Sequence, residues 1–248
     1  YGDFYVLINQ LNLMISHTES TDLLDASTKN YYLGEAYGLR AYVYFHLLRS
    51  WGDVVLQLDY TNGNSIDIGN PSKAASSAAD VMTQIKKDIQ SSEDAFGDDY
   101  SFKYGKCYWS KAATMMLKGE VYLWSGKQMN GGESDYTTAK NALMAVKTAG
   151  VGLLNDFKKV FAYDNKENDE IIFAIHNGRN EYSLWNDQYR STMVMNQANF
   201  GTYYDENGAL LNETEMADMS GLIRYQVEQD LYTQLFREGD TRKSISIK

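Results

Sequence analysis

The sequence of 248 residues contains very little cysteine and proline. Its one cysteine, Cys107, cannot form a disulfide within the chain, so the stability of the fold must come from packing. Its one proline, Pro71, argues against a Pro-rich or heavily punctuated all-β architecture and permits long uninterrupted helices. No apolar run approaches the roughly 20 residues that a membrane-spanning helix requires.

Positive charge is also scarce. The chain has 23 Lys and Arg residues against 33 Asp and Glu residues, which gives a net charge of −10. Nucleic acids and anionic membrane surfaces are bound by clustered Lys and Arg side chains. We therefore expect no nucleic-acid partner.

Recognisable catalytic and metal-binding motifs are missing as well. The three histidines, His17, His46 and His176, do not have the spacing of a zinc site, and no nucleophile elbow, phosphate-binding loop or dinucleotide fingerprint occurs. We predict no catalytic residue, no metal ligand and no cofactor. A glycoside hydrolase stays open as an alternative, because the separation of two catalytic carboxyl groups is set by the fold. A calcium site in the oxygen-rich runs 164–170 and 205–212 also stays open, although a solvated acidic loop is favoured.

Aromatic residues, by contrast, are abundant: 20 Tyr, 9 Phe and 4 Trp make up 13% of the chain. Tyrosine is the aromatic residue that tolerates a solvated edge. The excess therefore indicates rings at helix boundaries, rings in a binding surface, or both.

Apolar residues recur at helical spacing along much of the chain. The pattern predicts helices over residues 4–15, 31–51, 77–95, 108–126, 135–149 and 222–237. A polar connection is predicted over 16–30, and the apolar run 170–175 predicts a short strand. Trp51, Trp109 and Trp124 lie on the helical stripes and are predicted to be core residues.

Two of these helices have the order of small and aromatic residues found in a tetratricopeptide unit. Gly119 and Tyr122 stand on the first helix, and Ala139 and Leu143 on the second. We predict a mainly α fold of tetratricopeptide-like helix pairs, with long irregular loops and minor short β-strands. We expect one domain over 1–248, in which 1–150 form the helical part and 151–248 a loop-rich, ligand-binding part with a terminal helix.

Arg40 lies on the apolar stripe of the helix predicted over 31–51. An unpaired buried guanidinium is very costly, so Arg40 needs an acceptor or a carboxylate such as Glu35 or Asp53. We assign these three residues a structural role.

Five stretches carry a family resemblance. The longest is GEAxxxRAYxYFxLxRxWGDV, from Gly34 to Val54; the others are YxxIxxxN at 5–12, KAAxxxLxGxVYL at 111–123, NDEIIFA at 168–174 and LYxxLFxxxDxR at 231–242. In this order they resemble the SusD/RagB family of nutrient-binding lipoproteins of Bacteroidetes. The chain would correspond to the central portion of a member.

The resemblance implies a protein on the cell surface, held at the outer membrane by a lipid anchor that lies outside this chain. Members of the family bind glycans, or in some cases peptides, without catalysis. They deliver the ligand to a SusC-like TonB-dependent transporter. A helical-repeat module that binds only a protein partner is the alternative from another functional class.

A glycan site needs aromatic rings for the C–H face of a sugar and planar polar groups for its hydroxyls. The segment 180–190 combines both, with Trp185 as the main stacking residue and Tyr182 and Tyr189 as flanking rings. The hydroxyl contacts are assigned to Asn186, Asp187 and Arg190, and a second aromatic cluster to Tyr203 and Tyr204. The alternative interpretation is that these rings only anchor a long loop to the helices.

Overall fold

The computed structural model describes residues 2–62, 73–176, 197–205, 207–214 and 234–243, together with residues 217, 221, 228 and 230. The chain divides into two compact units. Unit 1 comprises Tyr1–Leu153 and Glu167–Ala174, and unit 2 comprises Leu154–Lys166 and Ile175–Lys248.

Unit 1 begins with two long helices, α1 (Gly2–Ser20) and α2 (Ala26–Trp51). Both were predicted, but the polar connection expected over 16–30 is wrong, since only residues 21–25 separate the helices. The Asp25 side chain accepts a hydrogen bond from the backbone N–H of Thr28 at 3.0 Å and so caps α2 earlier than its apolar stripe suggests. Gly52 ends the helix with a φ of 73°.

Three further helices complete the helical part of unit 1. They are α3 (Ala78–Phe96), α4 (Lys111–Gln128) and α5 (Gly132–Ala145), and a 3-10 turn at Val146–Ala149 follows. Ser77 and Ser110 cap α3 and α4 by accepting hydrogen bonds from the backbone N–H groups of Asp80 and Ala113. The predicted helices over 77–95, 108–126 and 135–149 are confirmed, with ends displaced by a few residues.

Each of these helices packs against the next, in the order α1, α2, α3, α4, α5. Glycines allow close approach: a Cβ atom on Gly38 would lie 2.0 Å from Nε1 of Trp109, and one on Gly119 would lie 2.4 Å from Leu143. The core between the helices contains Ile8, Tyr44, Phe45, Leu47, Val81, Ile85, Ile89, Leu117 and Val121. The predicted mainly α fold of stacked helix pairs is confirmed.

The strand predicted over 170–175 is not observed. The backbone N–H of Ala174 donates a hydrogen bond to the carbonyl of Lys106 at 2.9 Å, and Ile172 and Phe173 pack against the core. The apolar run therefore reflects partial burial of its side chains, and no strand lies beside it in the described structure. Among the described residues, β-structure consists of two isolated bridges, Val54 with Ser76 and Tyr204 with Leu210.

The predicted core tryptophans differ in burial. Trp109 is buried, and Trp124 is partly buried with its ring edge against Phe45. Trp51 is 50% exposed, so its assignment to the core is wrong. It is the last residue of α2, and its ring packs edge-on with that of Phe4, with the centroids 6.1 Å apart.

Unit 2 has shorter elements in its described part. They are helix α6 (Phe157–Val160) and 3-10 turns at Gln197–Asn199 and Leu211–Glu213. Val160, Phe200 and Leu211 are buried. The helix predicted over 222–237 lies largely outside the described residues. In the part of the chain that the structure describes, no helix combines the length and apolarity needed to cross a membrane.

Candidate ligand-binding surfaces

Tyr203 and Tyr204 precede a tight turn in unit 2. The backbone N–H of Asp205 donates to the carbonyl of Ala209 at 2.8 Å, and that of Leu211 donates to the carbonyl of Tyr203 at 3.0 Å. These bonds close a short hairpin whose base is anchored by the buried Leu211.

The turn itself is fixed by Asp205. Its Oδ1 accepts hydrogen bonds from the backbone N–H groups of Asn207 and Ala209, both at 2.8 Å. The bond from Ala209 is the main reason why the pKa of Asp205 lies below its usual value. Gly208 has a φ of 80°, a conformation that glycine adopts without strain. The hairpin is thus held by local bonds that do not involve its two tyrosine rings.

Both rings are available to a ligand, because Tyr203 is 53% exposed and Tyr204 is 65% exposed. Successive residues of extended backbone project to opposite sides. We therefore expect the two rings to contact different parts of a ligand. The other six residues assigned to sugar binding, Tyr182, Trp185, Asn186, Asp187, Tyr189 and Arg190, lie outside the described residues.

A second exposed aromatic group, in unit 1, was not predicted. Tyr104 and Tyr108 lie in the connection between α3 and α4 and are 50% and 49% exposed. Their ring centroids are 5.7 Å apart, and the ring of the buried Tyr31 on α2 lies 5.1 Å from that of Tyr104. We call Tyr31, Tyr104, Tyr108 and Lys103 the tyrosine patch; Nζ of Lys103 lies 5.2 Å from the centroid of Tyr31 and 5.5 Å from that of Tyr104.

A small depression of about 270 Å³ adjoins this patch. Its lining contains Tyr31 and Lys103 together with Ser27, Asn30, Ala95, Phe96 and Asp99. The sequence does contain a signal for the patch, namely tyrosines four residues apart at 100, 104 and 108. The signal is weak because the composition of this segment is equally typical of a polar connection between two helices.

Arg40 is held inside unit 1 by a buried network. Its Nε and Nη2 donate to the two carboxylate oxygens of Asp88 at 2.8 and 2.7 Å, and Nη1 donates to Oδ1 of Asn12 at 2.9 Å. Burial opposes the charge of Arg40, but the bonds and charge of Asp88 outweigh it and raise the pKa of the guanidinium. The network joins α1, α2 and α3.

The carboxylate beside Arg40 is therefore neither Glu35 nor Asp53, and the expected pairing is corrected. Glu35 accepts a hydrogen bond from the backbone N–H of Trp109 at 3.2 Å, and Asp53 accepts one from the backbone N–H of Ala78 at 2.7 Å. Asp88 lies on the buried stripe of α3, three residues after Ile85.

Asn12 also holds the segment that follows α2. Its Nδ2 donates to the backbone carbonyls of Gln57 and Asp59 at 3.0 and 3.1 Å. One turn earlier on α1, the Asn9 side chain both donates to and accepts from the backbone of Thr61. Side chains of α1 thus form the hydrogen bonds with the backbone of 57–61 that a neighbouring strand would form in a sheet.

The described residues contain no group of three or more His, Cys, Asp and Glu side chains that could hold a metal ion. The calcium alternative for 164–170 and 205–212 gains nothing from this part of the structure.

The first 123 residues match a sequence family described as "Starch-binding associating with outer membrane", whose model is named SusD-like. The chain belongs to the SusD-like family. The matched region ends within α4, so it contains the Arg40 network and the tyrosine patch. It does not contain the Tyr203 hairpin.

Solved structures agree with this assignment. The SusD-like chain is 57% identical to NanU of B. fragilis, with a TM-score of 0.88, and covers 97% of its own length and 48% of that chain. It is 55% identical to a SusD superfamily protein from Bacteroides vulgatus, with a TM-score of 0.90, and covers 100% of its own length and 50% of that chain. It thus spans about half the length of these two proteins.

A third solved structure, determined with a xylogluco-oligosaccharide, is more distant. It is 27% identical, with a TM-score of 0.59, over 69% of the SusD-like chain and 34% of that protein.

Proposed function

We propose that this SusD-like chain is part of a cell-surface protein that binds oligo- or polysaccharide without catalysis. The protein captures the glycan at the outer membrane and passes it to a SusC-like TonB-dependent transporter. A lipid anchor outside this chain holds it at the membrane. No nucleic acid and no cofactor takes part.

The observation that supports this proposal most strongly is the family assignment over α1 to α4, in a family described as starch-binding and associated with the outer membrane. The relative solved with a xylogluco-oligosaccharide supports a carbohydrate as the ligand class.

The energetics require several contacts. One sugar ring on one aromatic ring buries roughly 50–100 Å², which contributes about 1–2.5 kcal/mol. A millimolar complex already needs about 4 kcal/mol after the costs of association. A single exposed tyrosine is therefore insufficient. We assign the main stacking contact to Trp185, flanked by Tyr182 and Tyr189, with Tyr203 and Tyr204 as a second aromatic group.

Hydroxyl recognition completes the proposed site. Asn186, Asp187 and Arg190 supply planar groups that donate and accept hydrogen bonds. They are interleaved with the aromatic residues of 180–190. Such alternation lets one sugar contact a ring with its face and polar groups with its edge.

The test is affinity gel electrophoresis of the chain in starch, xyloglucan and laminarin, with a reducing-end assay on the same samples. We expect retardation in at least one glycan and no release of reducing ends. Trp185→Ala should weaken binding about ten-fold or more, which corresponds to a loss of about 1.4 kcal/mol. Trp185→Phe should retain most of the affinity.

Trp51→Ala is the matched control, because Trp51 is an exposed tryptophan at the end of α2 in unit 1, outside the proposed site. Its glycan affinity should equal that of the wild type. Equal affinity of Trp185→Ala and wild type would remove the proposed site. Release of reducing ends would favour a glycoside hydrolase, and binding of peptides or of the transporter alone would favour a peptide-binding protein or an interaction module.

A further inference from the structure

The connection between α3 and α4 holds its aromatic side chains in a defined arrangement. The backbone N–H of Gly105 donates to the carbonyl of Phe102 at 3.0 Å, and the carbonyl of Lys106 accepts from Ala174 at 2.9 Å. Nζ of Lys106 donates to the carbonyl of Asn168 at 2.7 Å and is buried. The residues on either side of Tyr104 are thus fixed to unit 1 at several points.

This fixation matters for binding. A ligand that meets a mobile loop must order it, and that ordering reduces affinity. The tyrosine patch is already ordered: Tyr31 packs edge-on against Phe96 at 5.8 Å and against Tyr104 at 5.1 Å. Even so, Tyr104 and Tyr108 keep about half of their surface in solvent. Packing of the connection therefore leaves part of each ring free to contact a ligand.

The depression beside the patch contains hydrogen-bonding groups suited to a polyhydroxylated ligand. Asn30 and Ser27 can each donate and accept, Lys103 donates, and Asp99 accepts. Hydrogen bonds from Ser101 lower the pKa of Asp99, so its carboxylate is ionised at neutral pH. With a volume of about 270 Å³, the depression is slightly smaller than the roughly 300 Å³ at which small-molecule sites begin. It suits one sugar ring with the remainder of the ligand outside.

The charges indicate which kind of sugar fits. Asp99 and Lys103 line the same depression and carry opposite charges, so their fields cancel to a large extent. A carboxylated sugar that fills the depression would be attracted by Lys103 but repelled by Asp99, and an amino sugar would meet the reverse. An uncharged pyranose would instead use both groups as hydrogen-bond partners.

We infer that the tyrosine patch and the adjoining depression form a second glycan-binding site, in which one neutral pyranose residue enters the depression and the next lays its C–H face on Tyr104 or Tyr108. This inference rests on the proposed function, since it assumes that the protein binds glycans. It adds a site in unit 1, built from α2 and the connection between α3 and α4. The site assigned to 180–190 belongs to unit 2.

The experiment measures binding of xylogluco-oligosaccharide, maltoheptaose and laminarihexaose to the full chain by isothermal titration calorimetry. The variants are Trp185→Ala, the pair Tyr104→Ala with Tyr108→Ala, and the two combined. The pair Tyr104→Phe with Tyr108→Phe is the matched control, because it keeps the rings and removes only the hydroxyls. Thermal melting verifies that each variant is folded.

We expect Trp185→Ala to retain weaker binding of at least one oligosaccharide. In that background the two alanine substitutions should reduce the remaining affinity about ten-fold or more, whereas the two phenylalanine substitutions should change it less than about three-fold. Tyr163→Ala, which removes an exposed tyrosine of unit 2, should change nothing.

Other outcomes separate this inference from the proposed function. Complete loss of binding in Trp185→Ala, or residual binding that the alanine pair leaves intact, overturns the second site and leaves the proposed function standing. Full binding in Trp185→Ala that the alanine pair abolishes supports the second site and overturns the assignment of 180–190. No binding of any probe by the wild type overturns both, and binding of a protein partner that the alanine pair abolishes would make the patch an interface.

Discussion

The two units of the chain differ in how far apart in sequence their bonded residues lie. Unit 1 is tied by contacts between residues far apart in sequence: Arg40 bonds to Asp88 across 48 positions, and Trp109 to Glu35 across 74. The described part of unit 2 contains local side-chain bonds, as in the turn from Asp205 to Ala209 and the bond from Asn165 to the carbonyl of Lys159.

Long-range contacts make a unit cooperative, because each bond depends on helices that other bonds also position. Local turns fix a short segment but leave its neighbours independent. The difference indicates that unit 1 carries most of the stability, while exposed rings in unit 2 can change with little effect on folding. The predictions below test that division and the packing and charges within unit 1.

The largest effect is expected from Asp88→Ala. It leaves the buried guanidinium of Arg40 without its carboxylate, which should cost about 3–5 kcal/mol of unfolding free energy. For a chain of this length, the melting temperature should fall by roughly 6–20 °C. Urea unfolding and calorimetry measure both quantities.

Two variants control for this change. Arg40→Met combined with Asp88→Leu removes both charges and should be much less destabilised than Asp88→Ala. Asp240→Ala breaks the exposed pair between Asp240 and Arg242 in unit 2 and should produce no measurable change. Equal losses from Asp88→Ala and Asp240→Ala would contradict the division between the units.

A smaller effect is expected from Gly38→Ala. The new Cβ would meet the ring of Trp109, which cannot shift freely because its Nε1 donates to Oγ1 of Thr114 at 2.9 Å. Overpacking of this kind costs about 1–3 kcal/mol, partly offset by the higher helix propensity of alanine. Thermal melting measures the loss.

Gly152→Ala is the matched control in the same unit, since a Cβ there has open space around it. We expect no loss in that variant. If both alanines were tolerated equally, the close packing of α2 on Trp109 would not be important for the stability of unit 1.

The next effect depends on pH. Burial raises the pKa of Glu35 above its ordinary value of 4.5, against a weaker opposing effect of the hydrogen bond from Trp109. The folded state therefore binds more protons than the unfolded state, and stability falls as pH rises from about that value through the raised pKa. Glu35→Gln removes this loss, so it should be more stable than wild type at pH 7 and equal to it below pH 4.

For Asp135→Asn we expect the opposite change of stability with pH. Burial alone would raise the pKa of Asp135, but hydrogen bonds from Lys86 and Ser125 and the charge of Lys86 hold it below its usual value. Its contribution is present above the ordinary pKa and is lost as pH falls through the lowered one. The variant should be less stable than wild type at pH 7 and converge with it in acid. Melting curves at several pH values would contradict both assignments if the two variants moved together.

The smallest effect on stability is expected from Tyr203→Ala combined with Tyr204→Ala. Both rings are mostly exposed, so unfolding free energy should change by less than about 0.5 kcal/mol. Glycan affinity should nevertheless fall several-fold if the hairpin contributes to the proposed site. A large loss of stability with unchanged binding would reverse the roles assigned to the two units.

Much of unit 1 could be predicted from sequence because its helices carry apolar stripes of regular period. The stripes located all five long helices, and Gly52 marked the end of α2. The need of Arg40 for a partner followed from its position on a stripe. The identity of that partner did not follow, since Asp88 is 48 positions away and becomes adjacent only when α3 packs on α2.

The failures have physical causes too. Period alone does not distinguish a buried irregular segment from a strand, so Ile172 and Phe173 suggested a strand that has no partner in the described structure. An apolar stripe also does not show how far along it the neighbouring helices extend. Trp51 was therefore assigned to the core, although it lies at the end of α2 and is half exposed. The tyrosines at 100, 104 and 108 recur every four residues, but the connection is not helical, so only the fold shows that Tyr104 and Tyr108 come together with Tyr31.

The side-chain support of 57–61 has a practical consequence. Asn9, Asn12 and Tyr44 hold the backbone at one end of the connection between α2 and α3, and Asp53 and the bridge from Val54 to Ser76 hold the other. Since both ends are anchored independently, the entropy of closing the intervening chain rises only slowly with its length. A reporter peptide or affinity tag placed between residues 62 and 73 is therefore expected to leave the helices undisturbed, which makes this connection a suitable insertion point for engineering the protein.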